Sequence, residues 1–248
     1  MTTNVVITMA GRGLRFQEAG YTVPKYEIVA HGRSLFAWSM QSLRNFLTPE
    51  SQVVFVCLAE NHSADFVLDQ CRALGLGKVS IVQLEEVTDG QATSAYLSRD
   101  FWLGDAPLVI YNIDTHVNPR SLYPAQIRPG SDGWVPCFRV GGDHWSFVKP
   151  GEDNWAVDIA EKQRISEYAS VGLYWFSSAE LYVRAYEQFF ADPASLVCRE
   201  RYVAPLYKHL IRSGRKVSLS DLPVGDVHVL GTPGELNEFL RNGRPDPE

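Results

Sequence analysis

The 248-residue chain lacks any apolar run near the ~20 residues that a membrane-spanning helix needs, so no transmembrane segment and no membrane partner is expected. Cysteine is scarce. Cys57, Cys71, Cys137 and Cys198 lie far apart with no Cys-x-x-Cys pair, which excludes a disulfide framework and a zinc knuckle and predicts reduced, mostly buried thiols. Basic charge is not in excess: 23 Lys and Arg stand against 29 Asp and Glu, a formal net charge of -6. A general nucleic-acid binder carries a basic face, so no nucleic-acid partner is expected, although a local basic pocket for a small anion is allowed. Met1 to Asn4 has neither the basic segment nor the apolar stretch of a signal peptide, so a cytoplasmic location is expected. Internal repeats, low-complexity tracts and long linkers are also missing. One domain over 1–248 is therefore expected.

What is present is an ordinary globular composition, 45% hydrophobic and 21% charged. Val5 to Thr8, Val53 to Leu58, Lys78 to Val82 and Leu108 to Tyr111 read as short, apolar strands. Amphipathic helices are expected between them: one capped by Ser34, one over about Ser63–Leu74, and one over about Gln91–Trp102. Apolar strands alternating with such helices predict a parallel sheet covered on both faces. From Trp134 the connections shorten. Strands are expected over 134–140, 145–149, 156–161 and 170–176, then helices over 179–190 and 204–212. Val217–Leu219 and Val227–Leu230 are late strands, and Pro233 opens a last helix. The tail from Arg241 is expected to fray. The fold class is thus α/β, a Rossmann-like three-layer α/β/α arrangement with a mixed, mostly parallel central sheet. A nucleotide-binding half (about 1–118) leads into a second half (about 119–248), and the ligand crevice should lie above the carboxyl ends of the strands.

Five places along the chain carry residue types suited to phosphate chemistry. The turn Ala10-Gly11-Arg12-Gly13-Leu14-Arg15-Phe16 follows the first strand, where glycines let backbone amides approach a phosphate and Arg15 adds a permanent charge. It is not a dinucleotide fingerprint, because Phe16 occupies the third glycine's place, and no Gly-Lys-Ser/Thr makes it a P-loop. Lys25, after Pro24, sits in the same polar loop, and the two cations suit a triphosphate. Asp114 follows the strand 108–111 and suits Mg²⁺, which takes one or two carboxylates plus phosphate oxygens. His116 shares its face if the chain stays extended, either as a ligand contact or as a satisfied polar histidine. Glu161-Lys162 ends a strand and reads either as an exposed ion pair or as a carboxylate for substrate hydroxyls beside an ammonium for substrate phosphate. Asp226 is either a turn residue or a further metal carboxylate. Gly231-Thr232-Pro233 is a helix start, with Thr232 as N-cap.

The order of these motifs resembles the sugar-phosphate nucleotidyltransferases, the family of glucose-1-phosphate thymidylyltransferase. That family's Gly-rich loop, Pro-Lys, Gln and Gly before a helix, metal Asp, Glu-Lys, Gly-Leu-Tyr and Gly-Thr-Pro match Gly11–Phe16, Pro24-Lys25, Gln83 with Gly90, Asp114, Glu161-Lys162, Gly172-Leu173-Tyr174 and Gly231-Thr232-Pro233. The resemblance implies the nucleotide-diphospho-sugar transferase (GT-A-like) fold. It implies nucleotide contacts from Met9, Ala10, Gly11, Gly13, Gln83, Gly90 and Gln91. Arg15 and Lys25 would hold the triphosphate, and Ser146, Glu161, Lys162 and Gly172 the second substrate. Mg²⁺ would sit on Asp114, with Asp226 as the candidate second ligand. The implied reaction joins a nucleoside triphosphate (CTP, UTP or dTTP favoured) to a phosphorylated small metabolite, with loss of pyrophosphate.

Three departures stand out. Leu14 replaces a hydroxyl residue near the phosphates. Val229 occupies the second metal carboxylate's position. His144-Trp145-Ser146 replaces the Tyr-Gly of the sugar pocket. With Glu161-Lys162-Gln163-Arg164-Ile165-Ser166, these resemble the divergent capsule and lipopolysaccharide subgroup that includes CTP:phosphoglutamine cytidylyltransferase, whose acceptor need not be a sugar. A glycosyltransferase of the same architecture and a non-catalytic nucleotide-sugar binder are the alternatives. The oligomeric state is open, with a homodimer allowed.

Overall fold

Alternate residues of the first strand face opposite ways and both faces are buried, since Val5, Val6 and Ile7 are all fully inaccessible. The computed structural model describes residues 2–197 and 199–242, so the expected fraying of the tail lies almost wholly outside the described residues, as does Cys198. The described thiols, Cys57, Cys71 and Cys137, are free and buried as expected.

The elements of the first half are β1 (Asn4–Thr8), α1 (Leu14–Glu18), β2 (Val29–Ala30), β3 (Arg33–Ser34), α2 (Leu35–Ser42), β4 (Gln52–Leu58), α3 (Ala64–Ala73), β5 (Val79–Leu84), α4 (Gln91–Tyr96), β6 (Leu108–Asn112) and β7 (Thr115–Val117). The second half adds β8 (Gly133–Arg139), β9 (Ser146–Pro150), β10 (Ala156–Glu161), β11 (Tyr168–Ser170), β12 (Leu173–Phe176), α5 (Ala179–Phe189), α6 (Ala204–Arg212), β13 (Val217–Leu222), β14 (Val227–Val229) and α7 (Pro233–Arg241). Among the described residues the main sheet has ten strands, in the order β10-β9-β11-β8-β12-β6-β1-β4-β5, with β13 alongside β8. β5, β4, β1 and β6 form a parallel block. From β12 the neighbours run antiparallel, except that β13 is parallel to β8.

Pleating sends the two residue sets into separate cores. Val6, Val54, Val56 and Ile110 join α4, α5 and α6 on one face. Val5, Ile7, Val53 and Phe55 join α2 and α3 on the other. A third cluster sits at the sheet's carboxyl edge, where Phe16, Ile28, Leu35, Trp38, Leu230, Leu236 and Phe239 lock α1 and the loop after it against α7. Phe16 is 1% exposed, so the residue that spoils the dinucleotide fingerprint anchors the Gly-rich turn instead.

Three expectations need correction. The polar loop read as joining Arg15 to Lys25 contains α1, which begins at Leu14 after the N-cap Gly13 and has no side-chain cap. The helix read over 91–102 ends at Tyr96, followed by a single tight turn, Arg99–Phe101. The strand read over 170–176 is two strands, because Gly172 breaks it at φ +80°.

A small second sheet frames the site. β7 and β14 run antiparallel, with Val227 opposite Val117 and Val229 opposite Thr115. Leu230 N–H donates to Asp114 O at one end (2.8 Å), and Asn118 N–H donates to Asp226 O at the other (2.8 Å). His116 is buried between them, its ring stacked on His228 and its Nδ1 2.9 Å from Trp38 O. Burial pushes its pKa down to about 4, so it is a neutral, satisfied histidine and not a phosphate contact.

Candidate active site

The carboxyl ends of β1 and β6 open into a cavity of about 520 Å³. Thr8, Ala10 and Gly11 come from the end of β1, and Asn112 and Asp114 from the end of β6. A recess of about 750 Å³ continues from it across Arg12, Gly13, Leu14 and Phe16, sharing Arg15, Lys25 and Asp114. The fold therefore gathers the two candidate cations and the candidate metal carboxylate at one place. Lys25 Nζ is 2.6 Å from Asp114 Oδ2, and both side chains are mostly shielded from water. Arg15 is exposed, on the first turn of α1.

One wall is built by α4. Gln91 donates to Thr8 Oγ1 (3.0 Å) and to Asn112 Oδ1, tying the helix to the ends of both central strands. Gly90 precedes it at φ +145°, and a Cβ there would stand 2.4 Å from Arg201 O and 2.6 Å from Arg201 N. The close approach is reciprocal: Ala92 N–H donates to Arg201 O and Arg201 N–H to Asp89 O. Gly90→Ala should therefore destabilise the fold by about 1–3 kcal/mol, as overpacking against unyielding backbone does. Urea unfolding of the variant, with an unchanged slope and a lower midpoint, checks this.

The opposite wall comes from the second half. Ser146 donates to Glu161 and lies 3.1 Å from Tyr174 Oη. Glu161 is 9% exposed, and burial raises its pKa against the lowering effects of the Ser146 hydrogen bond and of Lys162. Lys162 is held at φ +53°, a left-handed conformation costly for a non-glycine residue and often found at functional sites. Its N–H donates to Trp145 O, and its ammonium donates to Tyr202 Oη and lies over that ring. Gly172 also lines the cavity, where a Cβ would fall 2.5 Å from Asn112 Nδ2.

Not every expected site residue joins the cavity: Lys162, next to Glu161, is exposed and outside the lining, its ammonium turned to Tyr202. Met9 is buried behind the wall, 1% exposed. Gln83 is an exposed residue of β5 outside the lining. Asp226 accepts from Ser121 Oγ and Asn118 Nδ2 at the far end of the β7–β14 pair. Asn118 lies four positions along the chain from Asp114, about 13 Å in an extended strand. The structure thus does not bring Asp226 to Asp114, and the reason is register.

Conversely, the cavity holds residues the sequence did not single out: Thr88, Ser94, Asn112, Glu200, Tyr202 and Glu235. Glu235 is the third residue of α7, after the N-cap Thr232. Its Oε2 is shielded from solvent and has no hydrogen-bond partner. An acidic residue three past Thr232 was visible as a first-turn signal, but nothing in the sequence placed it beside Asp114.

Comparison with solved structures finds a crystal structure of a nucleoside-diphosphate-sugar pyrophosphorylase from Vibrio cholerae RC9. It is 34% identical, over 96% of this chain and 99% of that one, with a TM-score of 0.87. An inositol-1-phosphate CTP transferase from T. maritima shares the fold at 17% identity, over 98% of both chains, with a TM-score of 0.75. No protein-family model and no curated protein matches the chain.

Proposed function

From the chain's membership of the sugar-phosphate nucleotidyltransferase (nucleoside-diphosphate-sugar pyrophosphorylase) family, we propose that it transfers a nucleotidyl group from a nucleoside triphosphate to a small phosphomonoester. The observation that carries this reading is the meeting of Arg15, Lys25 and Asp114 in one cavity with Gln91 on one wall and Glu161 on the other. An oxygen of the phosphomonoester attacks the α-phosphorus, the bond to the bridging β-oxygen breaks, and pyrophosphate leaves with the electron pair. The nucleophile needs no general base, because the second pKa of a phosphomonoester is about 6. Rate then comes from alignment and from neutralising charge.

The residues divide the work by position. Backbone at Ala10, Gly11 and Gly13, with Gly90 and Gln91, faces the nucleotide. Arg15 and Lys25 neutralise the β- and γ-phosphates and the departing pyrophosphate. Glu161, oriented by Ser146, accepts hydrogen bonds from the second substrate. Lys162, which donates to Tyr202 Oη outside the cavity lining, is the cation assigned to that substrate's phosphate. Asp114 Oδ2 is held by the Lys25 ammonium at 2.6 Å, and across the space at Gly231 the shielded Glu235 Oε2 lacks a partner; two carboxylates facing one space fit a hard cation such as Mg²⁺. Asp114 would hold that ion, which when bound supplies charge neutralisation at the reacting phosphates.

CTP, UTP or dTTP is the favoured donor. We place the activated product ahead of a glycan-assembling transferase, in keeping with the capsule and lipopolysaccharide subgroup that the motifs resemble.

The test is pyrophosphate release from the purified protein with Mg²⁺, each of CTP, UTP, dTTP, GTP and ATP, and a pool of phosphomonoesters. Release with one triphosphate that depends on the pool is expected. Nucleotide-sugar cleavage without any pyrophosphate release would overturn the reading in favour of a glycosyltransferase. Lys162→Ala is expected to raise the KM for the phosphomonoester about tenfold, the loss of one charge-assisted hydrogen bond, with little change for the triphosphate. Steady-state kinetics with each substrate varied in turn checks it, and equal effects on both would remove Lys162 from the acceptor subsite.

A further inference from the structure

We propose that Glu235 is the second carboxylate of the cation site, facing the same ion as Asp114 from the first turn of α7. This rests on the nucleotidyltransferase reading and adds a ligand that neither the sequence motifs nor the Asp226 expectation supplied.

Three observations converge. A Cβ placed on Gly231 would lie 3.1 Å from Asp114 Oδ2 and 3.6 Å from Glu235 Oε2, so the two oxygens flank one small space that a glycine keeps open. The Asp114 side is fixed by its ion pair with Lys25, whereas Glu235 Oε2 is buried without any partner. A shielded carboxylate oxygen left unpaired is costly, and a structural role would have given it one. The usual structural role for an acid at this helix position is to return to the N-cap N–H. Here Thr232 Oγ1 does accept from Glu235 N–H (3.3 Å), but Glu235 Oε2 does not complete the reciprocal bond. Finally, the alternatives are spoken for. Val229 lines the cavity with an aliphatic side chain, and Asp226 is bonded to Ser121 and Asn118.

The arrangement also has a route for transmitting position. Leu236, the next residue, packs in the same cluster as Phe16, which follows Arg15. The helix that carries Glu235 and the turn that carries Arg15 are thus one packed unit, so a cation on Glu235 and a triphosphate on Arg15 are held in fixed relation.

The test reads metal binding without turnover. Mn²⁺ is titrated into the nucleotide-free protein, free Mn²⁺ is followed by electron paramagnetic resonance, and Mg²⁺ is added as competitor. The wild-type protein should show one saturable site that Mg²⁺ empties. Glu235→Gln and Asp114→Asn should each weaken it at least tenfold, and Asp226→Asn should leave it within twofold. Glu235→Asp, which keeps the charge at shorter reach, should restore part of the loss and guards against a folding defect in the Gln variant. Thermal unfolding in EDTA verifies that each variant is folded. Wild-type affinity in Glu235→Gln, an equal loss in Asp226→Asn, or no saturable site in the wild-type protein would each overturn the proposal. Pyrophosphate release by the wild-type protein is scored separately, so a failure of Glu235 as a ligand is distinguishable from a failure of the nucleotidyltransferase reading.

Discussion

Asp114→Asn should lower the rate of nucleotidyl transfer by about 10³ while leaving the protein folded, the scale of effect seen when one preorganised electrostatic contact to a reacting centre is lost. The substitution keeps the side chain's size and removes its charge. The backbone bond that positions the residue, from Leu230 N–H to Asp114 O, does not depend on the side chain. An Asn oxygen can still accept from Lys25, so the ammonium keeps a hydrogen-bond partner in this largely shielded site, where 17% and 23% of the two side chains are exposed. The stability cost should therefore be about 1–3 kcal/mol, that of weakening one charge-assisted hydrogen bond in a shielded site without leaving its donor unpaired. A neutral amide, in contrast, is a poor ligand for a hard cation and leaves the reacting phosphates under-neutralised. Steady-state pyrophosphate release beside a thermal unfolding curve separates the two effects. A folded variant with near-normal turnover would remove Asp114 from the chemistry.

The sequence exposed whatever depends on local pattern and concealed whatever depends on register or distant packing. β1, β4 and β6 were legible because strands buried on both faces read as unbroken apolar runs. The start of α2 was legible because Ser34 is a physical cap, its Oγ accepting from Ala37 N–H. α1 was hidden for the converse reason. It starts on a glycine with no side-chain bond, places Leu14 55% exposed, and buries only Phe16. Its existence depends on the third hydrophobic cluster, which joins Phe16 to Leu236 and Phe239 more than two hundred residues on. The site divides in the same way. Arg15 and Asp114 come soon after the ends of β1 and β6, so a strand assignment put them in the crevice, and Lys25 joined them through the long loop it shares with Arg15. Asp226 had the right residue type, but pairing of β14 with β7 sets it at the wrong end. Glu235 carried no local signal of a site, and only the fold lays the first turn of α7 beside Asp114. Tyr202 and Glu200 entered through the contact of Arg201 with Gly90, which no local pattern announces.

Lys25→Met should move two measurements in opposite directions. Lys25 Nζ lies 2.6 Å from Asp114 Oδ2, the oxygen nearest the open space at Gly231. In the nucleotide-free protein the ammonium therefore occupies part of the charge that a cation would use. Removing it should tighten Mn²⁺ binding to the free protein several-fold, because like charges within a few ångströms disfavour each other's binding. Once a triphosphate is bound, the same lysine has a larger anion to face, and neutralising the leaving pyrophosphate becomes its task. Its loss should then slow turnover by about 10²–10³, the range for deleting one preorganised donor at developing charge. Methionine preserves the length of the stem and its packing near Gly13, whose Cβ position is 3.9 Å from Lys25 Cβ, so the loop geometry is retained. The combination of tighter metal and slower transfer is specific to a lysine that alternates between Asp114 and phosphate. A purely structural lysine would loosen both, and a lysine that serves only the triphosphate would leave Mn²⁺ affinity unchanged. Electron paramagnetic resonance titration of the free protein, set against the rate of pyrophosphate release at saturating substrates, decides among the three.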